Sequence, residues 1–160
     1  MGKIFKFIVL ILVCIGQTSC FILTSSTQSS SSEQVSTNNT KNIAQKLTKR
    51  WRGLQVYKTA GGEMYDNYGA TSCWMQFYSD GTCYEHGFLG TNGNQQLRWS
   101  LNNNQLTIRG RNLTFADGNL SGQEVKYNVV SISDKELHLS RWDGQKQNGT
   151  TITRHIILQY

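Results

Sequence analysis

Proline is missing from all 160 residues of this chain, so no polyproline spacer or proline-fixed turn shapes it, and glycine and asparagine do the punctuation instead. No run has the period of an amphipathic helix of ordinary length, which excludes a helical bundle. Chemistry-bearing motifs are also missing. The sequence has no G-x-S-x-G, no phosphate loop and no dinucleotide fingerprint. It lacks C-x-x-C, H-x-H and H-x-x-x-H spacings, so a metal site would have to be assembled by folding alone. His86, His138 and His155 fall on separate predicted strands, and the acids lie mostly in predicted turns, where Asp normally bonds nearby backbone. These absences point away from an enzyme, from a metal and from any cofactor.

What the chain does have is alternation. Cys73-Trp74-Met75-Gln76-Phe77-Tyr78 and Cys83-Tyr84-Glu85-His86 flank Ser79-Asp80-Gly81-Thr82, and Asp-Gly between aromatic-rich runs signals a β-hairpin. Leu97, Trp99 and Leu101 then alternate with Arg98 and Ser100, and Asn102–Asn104 turns the chain into Leu106 and Ile108. Further strands are predicted at 52–57, 125–131, 136–142 and 151–160. Leu54 and Val56 form the apolar face of the first, and residues 143–149 form a polar loop. Residues 110–122 fit either a short extra hairpin or a loop. The sum is an all-β domain of about eight antiparallel strands, the number at which a barrel holds side chains or one small ligand. The 59–71 segment reads as a long loop over the barrel mouth.

The register of the first hairpin depends on its turn. A two-residue turn puts Cys73, Met75 and Phe77 on one face with Tyr84, His86 and Phe88, and it is preferred here because it gathers apolar residues. A three-residue turn with a glycine bulge sets them against Cys83 and Glu85 instead. In either case Cys73 lies roughly 13–17 Å along the hairpin from Cys83 at the usual strand rise. A disulfide tolerates about 7 Å between Cα atoms, so two free thiols are expected.

The amino terminus carries an address. Lys3 and Lys6 precede the apolar run 7–15, which is too short to span a bilayer as a stable helix, and small or polar residues follow. Residues 1–19 read as a signal peptide. Residues 20–45 are dominated by Ser, Thr and Asn and read as a flexible tether, with one or two helical turns available from Ile43. Residues 46–160 form the folded domain. The formal charge is +6, falling to about +4 without the signal. The basic group Lys46, Lys49, Arg50 and Arg52 has no accompanying nucleic-acid motif, so no nucleic-acid partner is expected.

Two resemblances add to this reading. Thr18-Ser19-Cys20 resembles the bacterial lipobox, with Gln17 where an aliphatic residue usually stands. It implies an acyl (palmitate-type) anchor on Cys20; the alternative is a cleaved signal with no lipid and a secreted or periplasmic chain. Phe21 in place of the retention-signal Asp implies the outer membrane of a bacterial envelope. Phe77, Asp80-Gly81-Thr82, Trp99-Ser100-Leu101, Leu106-Thr107-Ile108, Tyr127-Asn128-Val129, Ile132-Ser133 and Leu137-His138-Leu139, in that order, resemble the lipocalin-like domain of bacterial envelope lipoproteins. Trp51 fits that family's first-strand Trp, with Lys49 where its Gly would be. The resemblance implies an up-and-down lipocalin-like barrel and a non-catalytic role, binding a small apolar or amphipathic ligand. Trp99, Phe77, Met75 and Tyr84 are candidate lining, with Tyr65 and Tyr68 on the overlying loop. The alternative is a plugged barrel serving as an interaction or structural subunit of an envelope complex, with Trp74, Tyr78 and Trp142 as contact residues.

Overall fold

Alternation closes on itself in the structure, a computed structural model that describes residues 31–114 and 121–160. The signal peptide, Cys20 and the first part of the tether lie outside the described residues. The order is α1 (Ser31–Leu47), β1 (Arg50–Ala60), β2 (Glu63–Gly69), β3 (Trp74–Phe77), β4 (Thr82–His86), β5 (Leu97–Asn102), β6 (Gln105–Thr114), β7 (Ser121–Ile132), β8 (Glu136–Gln147) and β9 (Thr150–Gln159). Strands β3 to β9 pair antiparallel in chain order. β1 pairs with both β3 and β9, so eight strands make a closed up-and-down barrel, consistent with a lipocalin-like one. Strand β2 is a ninth, paired to β1.

That ninth strand replaces the expected lid loop over 59–71. Gly61 and Gly62 both take positive φ and turn the chain back on β1, and β2 then runs antiparallel to it. β2 and β3 share one edge of β1, β2 against 55–60 and β3 against 50–52. The changeover is at Gly53, whose N–H donates to the Cys73 carbonyl at 2.8 Å. A Cβ there would come within 2.2 Å of the Ala70 carbonyl oxygen, so only glycine lets the 70–73 turn pass this close. The β1–β9 register slips beside it, and Leu54 ends up exposed rather than sharing the inward face with Val56.

The first hairpin takes the three-residue turn, which corrects the preferred register. The Gly81 N–H donates to the Tyr78 carbonyl, and Gly81 itself sits at φ 81°. A type I turn followed by a left-handed glycine is the standard bulged hairpin. Asp80 stabilises it by accepting from the Thr82 N–H at 2.9 Å and the Thr82 hydroxyl at 2.6 Å, and these bonds hold its carboxyl below the usual carboxylate range. Met75 therefore pairs with Glu85, and Phe77 with Cys83. Tyr84 and His86 point outward, Tyr84 edge-on to Tyr78 and His86 stacked with Trp74. Cys73 and Cys83 are free thiols. Burial raises both, Cys83 to about 12, so neither is a ready nucleophile.

Helix α1 occupies much of the segment expected to be tether. Its apolar content is small, and it is anchored by Ile43 and Leu47, one turn apart and both buried in the barrel core. Each such burial contributes about 1.5–3 kcal/mol. The Leu47 carbonyl accepts from Trp51 Nε1 at 3.1 Å and from the Lys49 N–H at 2.7 Å, which satisfies a helix-end acceptor. Trp51, Met75, Phe77, Leu97, Leu106, Ile108, Leu137 and Leu139 fill the adjoining interior.

Candidate functional site

The six residues expected to line a ligand site do not converge. Met75 and Phe77 are core side chains with no exposed face. Trp99 packs edge-on against Phe77 with ring centres 5.7 Å apart, and its Nε1 donates to the Tyr78 carbonyl at 2.9 Å. Tyr84 lies on the outer face. Tyr65 and Tyr68 stand on β2 and are exposed, and only Tyr68 reaches toward the barrel, accepting from Arg154 Nη1 at 3.2 Å. Beside Trp99 there is a groove of about 270 Å³ lined by Ala44, Gln45, Thr48 and Ser79. It lies between α1 and the barrel wall rather than inside the barrel. Of the three expected contact aromatics, Trp142 and Tyr78 are exposed, while Trp74 is partly covered by Arg50, whose guanidinium sits 4.2 Å over its ring.

The other end of the interior is polar. Asp143, expected in a loop, lies on β8 with no exposed surface. Its Oδ1 accepts from Arg154 Nε at 2.6 Å, and Lys58 Nζ forms an ion pair with Oδ2 at 3.0 Å. Arg141 lies 3.9 Å away. Lys58, Arg141, Asp143 and Arg154 continue the inward alternation of Val56, Leu139 and Ile156, and that phase was the sequence signal that could have found them. A small cavity of about 50 Å³ between Tyr68, Ala70, Cys73, Phe88, Arg141 and Arg154 adjoins this cluster. That is room for a few waters, against roughly 300–1,000 Å³ for an ordinary ligand pocket. Nearby, burial pushes the Tyr127 phenol up to about 12.

Glu85 is the second buried acid. One of its oxygens accepts from the Phe88 and Leu89 N–H groups at 2.9 and 3.0 Å. The other accepts from the Thr91 N–H at 3.0 Å and lies against the Thr91 hydroxyl. It thereby folds the 87–96 connection over the barrel end. The role is structural.

On the outer face, β9 lies between β8 and β1 and brings two histidines together. His138 Nε2 is 3.0 Å from His155 Nδ1. Tyr57 stacks on His155 at 4.5 Å and 3°, with its hydroxyl 3.4 Å from His138 Nε2. Thr59 Oγ1 lies 3.2 Å from His155 Nε2. Partial burial lowers both imidazoles below the ordinary histidine value, and His138 lowers His155 further. Among the described residues no three His, Cys, Asp or Glu side chains gather as metal ligands, and no described helix is long and apolar enough to cross a membrane.

No family model matches the chain, and no curated protein matches it. Among solved structures the chain is similar to an uncharacterized protein from Bacteroides eggerthii, at 14% identity and a TM-score of 0.42, over 71% of this chain and 99% of that one.

Proposed function

We propose that this protein is an envelope-anchored, non-catalytic lipoprotein whose plugged barrel works through its outer surface as an interaction subunit. The observation that carries this reading is the filled interior. Trp51, Met75, Phe77 and the leucine layers occupy the space where a ligand would sit, and α1 stoppers that end with Ile43 and Leu47. The exposed aromatics Trp142, Tyr78 and Tyr65 supply amphipathic contact area on a rigid scaffold. In this reading the membrane is reached through an acyl group on Cys20, with the residues behind it as spacer.

A second reading, a small amphipathic ligand held outside the barrel, is favoured by one observation. The groove beside Trp99 is large enough for part of such a molecule. The two separate in a screen of lipids, retinoids, haem and bile-acid-like molecules read by melting temperature and Trp emission. The interaction reading expects no saturable shift. A saturable rise in melting temperature that Trp99→Leu abolishes in a folded variant would replace it with the groove reading. Anchoring is tested separately. A fatty-acid analogue fed to expressing cells should label the wild-type chain and leave Cys20→Ala unlabelled. Equal labelling of both would remove the anchor.

A further inference from the structure

We propose that the outer face of β8, β9 and β1 carries a two-histidine site for a borderline divalent transition-metal ion such as Zn²⁺ or Cu²⁺, with His138 Nε2 and His155 Nδ1 as its protein ligands. The inference is independent of the functional reading above.

The fold makes the pair in a defined way. His138 opposes Ile157, and His155 opposes Ser140, so the two histidines are diagonal neighbours across the β8–β9 ladder. Alternation sends both side chains outward, because Leu137, Leu139, Ile156 and Leu158 take the inward positions. Their nitrogens are 3.0 Å apart. Two imidazole nitrogens at about 2.05 Å from one metal stand about 2.9 Å apart at a right angle and about 3.3 Å apart at a tetrahedral angle. The gap already present lies between these values. The spacing suits a shared metal, and binding would turn the two rings so that both lone pairs converge on an ion beside the N–N line.

The surroundings favour chelation over a bare pair of rings. Tyr57 sits directly opposite His155 on β1 and stacks on its ring, fixing the plane. Thr59 Oγ1 meets His155 Nε2 at 3.2 Å. If that nitrogen donates to the hydroxyl, the proton is held on Nε2 and the Nδ1 lone pair faces His138, the outer-shell arrangement usual for a metal-bound histidine. The Tyr57 hydroxyl lies 3.4 Å from His138 Nε2 and borders the next coordination position. Because the site is on the outer wall and two protein ligands leave a four-coordinate ion incomplete, water or a donor from another molecule completes the shell. Imidazole pairs suit Zn²⁺, Cu²⁺ and Ni²⁺, and they do not suit Mg²⁺ or Ca²⁺. His86, on β4, stacks on Trp74 of β3 and is not part of the pair, which makes it an internal control.

The test is calorimetric titration of the intact, detergent-solubilised and chelator-stripped chain with Zn²⁺ and Cu²⁺. Histidine ring NMR signals are followed during the Cu²⁺ titration. The expected result is one saturable equivalent, no response to Mg²⁺, and paramagnetic broadening of the His138 and His155 rings before His86. His155→Gln and His138→Gln, each checked for native circular dichroism, should lose binding at least tenfold, and His86→Gln should retain it. Absence of saturable binding to the wild type overturns the proposal. So does broadening that begins at His86, or binding that survives in His155→Gln. If either variant fails to fold, the order of broadening in the wild type still decides.

Discussion

Asp143→Asn is expected to cost about 3–5 kcal/mol of folding stability, the usual effect of removing one partner from a buried ion cluster. The substitution keeps volume and shape, so little of the loss can be assigned to packing. What it removes is the negative charge that stands 2.6 Å from Arg154 and 3.0 Å from Lys58, with Arg141 at 3.9 Å. Three cations that now surround one anion would be left facing each other in a region of low dielectric. For a domain of this size roughly 5–15 kcal/mol is the whole margin, so the loss should lower the melting temperature by about 10–20 °C. Urea denaturation is the primary measurement. Added salt should not restore the variant, because the cluster has almost no contact with solvent. Adding Arg154→Gln to Asp143→Asn should cost less than the two single losses combined, with a coupling of about 1–3 kcal/mol. A single-variant loss below about 1 kcal/mol would show that the ion cluster is not what holds this end of the barrel together.

The same residue shows how far the sequence could be read and where it misled. Strands whose apolar and polar residues alternate were placed from the sequence, because a half-buried strand writes its geometry in period 2. β5 and the β8–β9 hairpin are of this kind, and together with the other alternating runs they carried the barrel. The polar run 143–149 reads as a loop, whereas β8 continues to Gln147 and simply carries an acid inward. Arg154, flanked in phase by Ile152 and Ile156, is its counterpart on β9. A buried charge looks like an exposed one in composition, and only the phase distinguishes them. Strand β2 was missed for the opposite reason. Nearly all of its residues are exposed, so no face is apolar and no period is written. Helix α1 rests on Ile43 and Leu47, too few apolar residues to register against a Ser- and Thr-rich background. The first hairpin turned on one backbone detail, the left-handed Gly81, which moves every side chain of β4 by one place. That shift took Tyr84 out of the candidate site and brought Glu85 in. Met75 and Phe77 were correctly placed inward, and inward proved to mean core.

Glu85 is where that one-place shift has its largest energetic consequence, and Glu85→Gln is expected to cost about 2–4 kcal/mol. The carboxylate offers two oxygens to a set of donors only: the N–H groups of Phe88, Leu89 and Thr91, and the Thr91 hydroxyl nearby. An amide of the same shape keeps one acceptor and turns the other into a donor aimed at donors. At least one buried N–H loses its partner and a second hydrogen bond is lost with it, each worth about 1–3 kcal/mol where water cannot substitute. The carboxylate also strengthens these bonds by its charge. Thr91→Val should be milder, about 1 kcal/mol, because the Thr91 N–H keeps its acceptor. The two substitutions should also differ in where they act. The 87–96 connection carries Phe88, Leu89 and Thr91, all buried, and Glu85 ties their backbone N–H groups to the barrel wall at three points, while the Leu89 carbonyl accepts from the Thr114 N–H on β6. Hydrogen exchange at the amides of Phe88, Leu89 and Thr91 should therefore accelerate in Glu85→Gln by more than exchange in β8 and β9, which lie elsewhere in the barrel. Uniform acceleration across all strands would show that Glu85 contributes only to global stability. Unchanged exchange at the three amides, with stability intact, would mean that other acceptors can take over and that the carboxylate is not required to fold the connection.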